Sequence, residues 1–177
     1  QDVGVVIDLA PHDVDIMCYL AGSTPTRLFA ETEQRLHTQH EDLLLGVLRF
    51  PGGLTGSLEI NWLTPTKVRE VVVLGERGLF RVDDLTQDLY FYENASADSV
   101  HWSNLQNIKG VREGSMIRYA VQKYEPLKAE LQAFVDAIEN NHPVPVSAEE
   151  GLSALNISLE LLRSSRENTV IHFHEPD

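Results

Sequence analysis

An aspartate, a histidine and a second aspartate fall at i, i+4 and i+7 within Asp8-Leu9-Ala10-Pro11-His12-Asp13-Val14-Asp15. On a helix these three side chains line one face. A carboxylate beside an imidazole fixes its tautomer and raises its basicity, which is what removing a proton near neutral pH requires. Two other readings stay open on spacing alone. The acids could simply complement the positive end of a helix, or the group could hold a metal. The metal reading lacks ligands, because no second His or Cys stands at ligand spacing nearby. His37 and His40, three apart at a strand-to-turn transition, read as surface residues.

A second stretch with chemical potential is Asn61-Trp62-Leu63-Thr64-Pro65-Thr66-Lys67-Val68-Arg69. Polar groups at a strand end beside an aromatic ring suit sugar hydroxyls, which makes Asn61 and Trp62 candidates for substrate contact. Lys67 and Arg69 have the charge to meet a diphosphate. The competing reading is a polar strand end with solvated charges. Gly53-Leu54-Thr55-Gly56 is no phosphate loop, because its setting is a hairpin and not a strand-to-helix turn. No cofactor-binding residue is therefore assigned in this chain. Tyr90 and Tyr92 share one strand face and read as core or interface.

These residues need elements to hold them. Val3 to Leu20 follows a helical pattern with Gly22 as its stop. Pro11 marks a kink or the first turn of a fresh helix. From Thr26 to about Asn94 the apolar period changes to two. Pro51-Gly52-Gly53 joins Leu43–Phe50 to the strand from Leu54 as a hairpin, and Gly75-Glu76-Arg77-Gly78 closes a second one. Asp88 to Glu93 reads as a further strand, and a short one lies around Ile117 to Tyr124. Pro126 opens a helix with a stripe at Leu127, Leu131, Phe134, Val135 and Ile138. Ser147-Ala148-Glu149-Glu150 is a capping box ahead of Leu152, Leu155, Leu159 and Leu162. Thr169 to Phe173 reads as a last strand. The expectation is an α+β fold: a mostly antiparallel, meandering open sheet with helices on one face. Leu43 to Phe50 and Val71 to Leu74 are apolar on both faces, so the second face is expected to serve homo-oligomerisation, as a dimer or tetramer.

Composition narrows the class of function. The chain has 177 residues, 42% of them hydrophobic, with 14 Lys and Arg against 27 Asp and Glu, a formal charge of −13. That suits one globular domain over residues 1–177. It argues against a nucleic-acid partner, which needs clustered basic side chains. No apolar run approaches a membrane span. The single cysteine, Cys18, fits a reducing, cytoplasmic setting. The abrupt start inside an apolar segment suggests a piece of a longer protein.

The run from Asp2 to Asp15, ending in Tyr19-Leu20-Ala21-Gly22, resembles the opening of the C-terminal domain of the Gfo/Idh/MocA oxidoreductases. Glu125-Pro126-Leu127-Lys128-Ala129-Glu130-Leu131, Phe134-Val135 and Pro145-Val146-Ser147-Ala148-Glu149-Glu150-Gly151-Leu152 resemble that family's closing helices. The Asn61–Arg69 stretch resembles a subgroup acting on nucleotide sugars, such as UDP-N-acetylglucosamine 3-dehydrogenases. The resemblance implies that His12 is the general base and Asp8 the carboxylate orienting it, with Asp15 beside the substrate. It implies an NAD- or NADP-dependent sugar dehydrogenase whose Rossmann domain, with the cofactor site and a lysine of a Glu-Lys-Pro motif, lies outside this chain. On that basis these 177 residues alone are expected to be inactive. Cys18 stands where the subgroup often has a basic residue, which bears on the substrate. The alternatives are a non-catalytic binding or assembly module of the same fold, and a dehydrogenase of a simple sugar or inositol.

Overall fold

A computed structural model describes residues 2–36, 39–94 and 113–173. The chain divides into two units, residues 1–65 with 132–177, and residues 66–131. In the first, helix α1 (Val5–Ala21) is followed by strands β1 (Arg27–Glu33), β2 (Leu43–Arg49) and β3 (Thr55–Asn61). Helix α3 (Ala148–Glu167) and the two-residue strand β8 (Ile171–His172) complete it. The second unit holds β4 (Glu70–Gly75), β5 (Gly78–Asp83), β6 (Asp88–Asn94) and β7 (Glu113–Tyr119). Helix α2 (Pro126–Asn140) spans the chain position where the second unit gives way to the first.

The antiparallel α+β expectation holds, but among the described residues the strands form two four-stranded sheets and not one meander. Their orders are β3-β2-β1-β8 and β4-β5-β6-β7. Both hairpins read from the turn residues are present, β2 with β3 and β4 with β5. Residues 62–69 carry no strand, so the ladder stops at β3.

α1 is one unbroken helix through Pro11, ended by Gly22 in the left-handed region at φ 66°. Gly22 has no Cβ to strain there, so its N–H can close on the carbonyl of Tyr19. Val6, Ala10 and Val14, four apart, are fully buried. They pack with Leu28, Ala30, Leu44, Leu48, Leu58, Ile60, Ile157 and Leu161 into the core of the first unit. Burying a side chain of this size stabilises by roughly 1.5–3 kcal/mol, so α1 and α3 are fixed to this sheet by packing.

α3 is rotated from the stripe its leucines suggested, of which Leu162 is buried and Leu155 half-buried. Leu152 and Leu159 are exposed, whereas Ala154, Ile157, Ser158, Leu161, Leu162 and Ser164 are buried. Close approach explains the rotation. Leu161 seats over Gly46 of β2, where a Cβ would lie 3.2 Å from its Cδ2. The next turn uses hydroxyls. Ser164 Oγ accepts the Ala30 N–H at 3.1 Å and donates to the Thr169 carbonyl at 2.7 Å, while Ser165 Oγ accepts the Thr32 N–H at 3.0 Å. β8 pairs only with Arg27 and Leu28, so these serines satisfy the edge of β1 beyond it. The α2 stripe differs from expectation as well. Leu127, Leu131, Phe134, Val135 and Ile138 are all exposed, and only Ala137 of that helix is buried.

Candidate active site on helix α1

The inward stripe of Val6, Ala10 and Val14 leaves the opposite side of α1 open. There stand Asp8 and His12, both exposed, and Asp15, half-buried. Successive helical residues are about 100° apart, so these three and Tyr19 fall within about 60° of one another. Tyr19 is 83% exposed, an open aromatic ring on the same stripe. Its i+7 spacing from His12 is the signal in the sequence that marks this shared face. Neither the Asp8 carboxylate nor the His12 imidazole is hydrogen-bonded to another described residue. Both are therefore available to a bound molecule. Cys18 is inert by comparison: burial, and then the neighbouring Asp15 charge, push its thiol pKa up.

α1 starts without a local cap. Its N-cap is Gly4, which offers no side chain. The orphan donors are met from 35 residues away: Val5 N–H reaches the Glu41 carbonyl at 3.0 Å and Val6 N–H the Glu41 Oε1 at 3.3 Å. No signal in the sequence marks Glu41, because the contact is tertiary.

The Asn61–Arg69 stretch is split between the units. Asn61 ends β3, and its Oδ1 accepts from Leu63 N–H at 3.0 Å, Thr64 N–H at 2.8 Å and Thr64 Oγ1 at 2.6 Å. Its amide donates to Glu59 at 3.4 Å. Trp62 packs against the core of the first unit, and its N–H bonds the Asp42 carbonyl at 3.0 Å. Lys67 and Arg69 belong to the second unit. Both are exposed, with Arg69 4.0 Å from the Asp84 carboxylate. Tyr90 and Tyr92 are half-buried neighbours on one face of β6, with Arg118 stacked 5.9 Å over the Tyr90 ring. His40 is half-buried, and His37 lies outside the described residues.

Dinucleotides bind where a glycine turn opens a helix, with the pyrophosphate against bare N–H groups. The described residues do not fit that requirement. Gly53 to Gly56 lie at the β2–β3 hairpin. Among the described residues, the three α-helix starts already carry a carboxylate: Glu41 at α1, Glu125 accepting Lys128 N–H at 2.5 Å at α2, and Glu150 of the Ser147 capping box at α3. An acidic cap repels a phosphate. Among the described residues no group of three or more His, Cys, Asp or Glu is arranged to hold a metal, and no helix is long and apolar enough to cross a membrane.

Comparison with known proteins agrees with this architecture. Residues 1–81 match the GFO/IDH/MocA C-terminal domain family. A UDP-N-acetylglucosamine 3-dehydrogenase of Acidithiobacillus ferrooxidans is 23% identical over 160 residues, 90% of this chain and 48% of that protein. A solved structure of the enzyme from that organism superposes with a TM-score of 0.75 at 22% identity, covering 94% of this chain and 48% of its own. The WlbA dehydrogenase from Bordetella pertussis, solved with NADH and UDP-GlcNAcA, gives 0.67 at 21% identity over 99% of this chain and 47% of its own. Aldose-aldose oxidoreductase from Caulobacter crescentus, solved with glycerol, gives 0.74 at 18% identity over 97% and 48%. The chain thus spans about half the length of these relatives. Residues 1–81 are thus similar to the GFO/IDH/MocA C-terminal domain family, and the fold of the chain is shared with these structures over nearly its whole length.

Proposed function

We propose that this domain supplies the substrate surface and the proton acceptor of an NAD- or NADP-dependent dehydrogenase that oxidises a sugar hydroxyl, on a nucleotide sugar. The observation that carries the reading is the open stripe of Asp8, His12 and Asp15 on α1, within residues 1–81 that match that family. An exposed imidazole one turn from a carboxylate can accept a hydroxyl proton and share its new charge with that carboxylate. A nicotinamide, when bound, supplies the hydride acceptor. We place its site in a Rossmann domain outside these residues, since among the described residues each helix start already carries a carboxylate.

In this reading Asp15 and Trp62 line the sugar, and Asn61 contributes the amide hydrogen not given to Glu59, since its carbonyl is already engaged in the turn. Lys67 and Arg69 meet the diphosphate. The relatives named as UDP-N-acetylglucosamine 3-dehydrogenase and as WlbA in complex with UDP-GlcNAcA favour a UDP-sugar. The setting is cytoplasmic. The protein assembles as a dimer or tetramer through apolar sheet faces: Val71, Val73, Phe80, Val82, Leu89 and Phe91 share one face of the second sheet by their register, with none fully buried.

The test is turnover. The complete enzyme, given UDP-N-acetylglucosamine with NAD or NADP, should form reduced nicotinamide. These 177 residues alone should show no micromolar affinity for either nucleotide by calorimetry. Absence of turnover with nucleotide and simple sugars alike would leave a binding module.

A further inference from the structure

Glu41 is an unusual choice for starting a helix. A Ser, Thr, Asp or Asn at the N-cap would do this locally, whereas a buried carboxylate must first be stripped of water. Glu41 is 9% exposed and lies so close to Gly4 that a Cβ there would overlap its carboxylate. Asp8, in the turn it starts, makes the first helical bond, from its N–H to the Gly4 carbonyl at 3.2 Å. The next residue continues the connection. Fully buried Asp42 accepts the N–H groups of Arg35 at 2.9 Å and Leu36 at 2.6 Å, and its carbonyl accepts Trp62 N–H at 3.0 Å. Two adjacent acids therefore tie the start of α1 to the end of β3, the stretches bearing Asp8 and Trp62.

We propose that Glu41 is a positioning residue for the His12–Asp8 pair, its carboxylate fixing where α1 begins and hence where Asp8 stands beside His12. This rests on the dehydrogenase reading above. The lost function should be orientation and not substrate binding, so kcat should move and KM should not.

The test is steady-state kinetics of the complete enzyme with UDP-N-acetylglucosamine and its nicotinamide nucleotide, for Glu41→Ala, Glu41→Gln, Asp8→Asn, His12→Asn and the Glu41→Ala/Asp8→Asn double variant. Misplacement on the ångström scale costs up to about 10²-fold. Glu41→Ala should thus lower kcat about tenfold or more with KM within about twofold. Glu41→Gln keeps an acceptor oxygen for Val6 N–H and should recover most of the rate. In the double variant the loss should not exceed that of Asp8→Asn alone, because both remove the same orientation. If Glu41→Ala does not fold, Glu41→Asp replaces it, withdrawing the oxygen by one carbon while keeping the charge. If His12→Asn and Asp8→Asn are impaired but Glu41→Ala keeps wild-type kcat, or its loss multiplies fully with that of Asp8→Asn, the positioning role is overturned. If His12→Asn turns over like wild type, His12 is not the proton acceptor and the positioning proposal falls with that role; if the wild type itself does not turn over, it is the dehydrogenase reading that falls.

Discussion

β2 in the first unit and β4 in the second carry the same kind of sequence, apolar on both faces, and meet different fates. In β2, Leu44 and Leu48 are fully buried while Leu45 and Val47 are about half exposed, at 48% and 50%. In β4 no apolar residue is buried, and Leu74 is 77% exposed. The first unit supplies α1 and α3 from within the chain to close one face. The second sheet leaves Val73, Phe80, Ile117 and Tyr119 open on one face and Val72, Leu74 and Met116 on the other. A two-sided apolar strand therefore states that cover is needed, without stating which element provides it.

Core truncations should break this symmetry most strongly. Leu44→Ala or Leu161→Ala, both in the closed core, should cost about 2–5 kcal/mol by denaturant titration. Leu74→Ala in β4 should stay within about 0.5 kcal/mol, as for a surface site. Equal losses at both strands would mean the second sheet is as well packed as the first.

The next effect lies at the edge of the closed sheet. Ser164→Ala leaves the buried Ala30 N–H without its acceptor, at about 1–3 kcal/mol. Ser164→Thr should recover part of it, and amide exchange at Ala30 should report the opening directly.

The open sheet answers to association and not to folding. The isolated domain should sediment as an oligomer at micromolar concentration. Val71→Asp and Val73→Asp should dissociate it, with secondary structure retained, because each places a charge among apolar neighbours. A monomeric wild type with both substitutions silent would assign that face to another part of the complete protein.

The smallest effect is electrostatic. Asp88 on β6 bonds Arg118 at 2.7 Å and Lys123 at 3.2 Å, and Arg118 foremost holds its carboxyl down to about 2. A carboxyl with a lower pKa folded than unfolded adds stability above its unfolded value, and that stability is lost as pH falls from about 4 through about 2. Arg118→Ala should move the Asp88 carboxyl resonance midpoint upward in an NMR titration and flatten that acid loss.

Much of this was legible in local patterns. The hairpins at Pro51-Gly52-Gly53 and Gly75–Gly78, the Gly22 stop and the Ser147–Glu150 capping box follow from backbone requirements that a few adjacent residues meet alone. The Asp8, His12 and Asp15 stripe followed from helical spacing. What escaped depends on distant partners. The inward face of α3 is set by Gly46 and the edge of β1, so Ser158 and Ser164 are buried while Leu152 and Leu159 of the expected stripe are exposed. Glu41 meets α1 across 35 residues, and the division into two sheets depends on where pairing stops, which no turn residue announces.

In the proposed function His12 acts in chemistry and not in folding, and one variant separates the two. In the complete enzyme His12→Asn should lower kcat by roughly 10²–10⁴-fold, about 3–5 kcal/mol of transition-state stabilisation, the contribution of a positioned base. Since His12 is exposed, its thermal midpoint should match wild type. A variant that keeps more than about a tenth of the wild-type kcat, a loss below the range for a positioned base, or that loses rate only in step with lost stability, would rule out His12 as the proton acceptor.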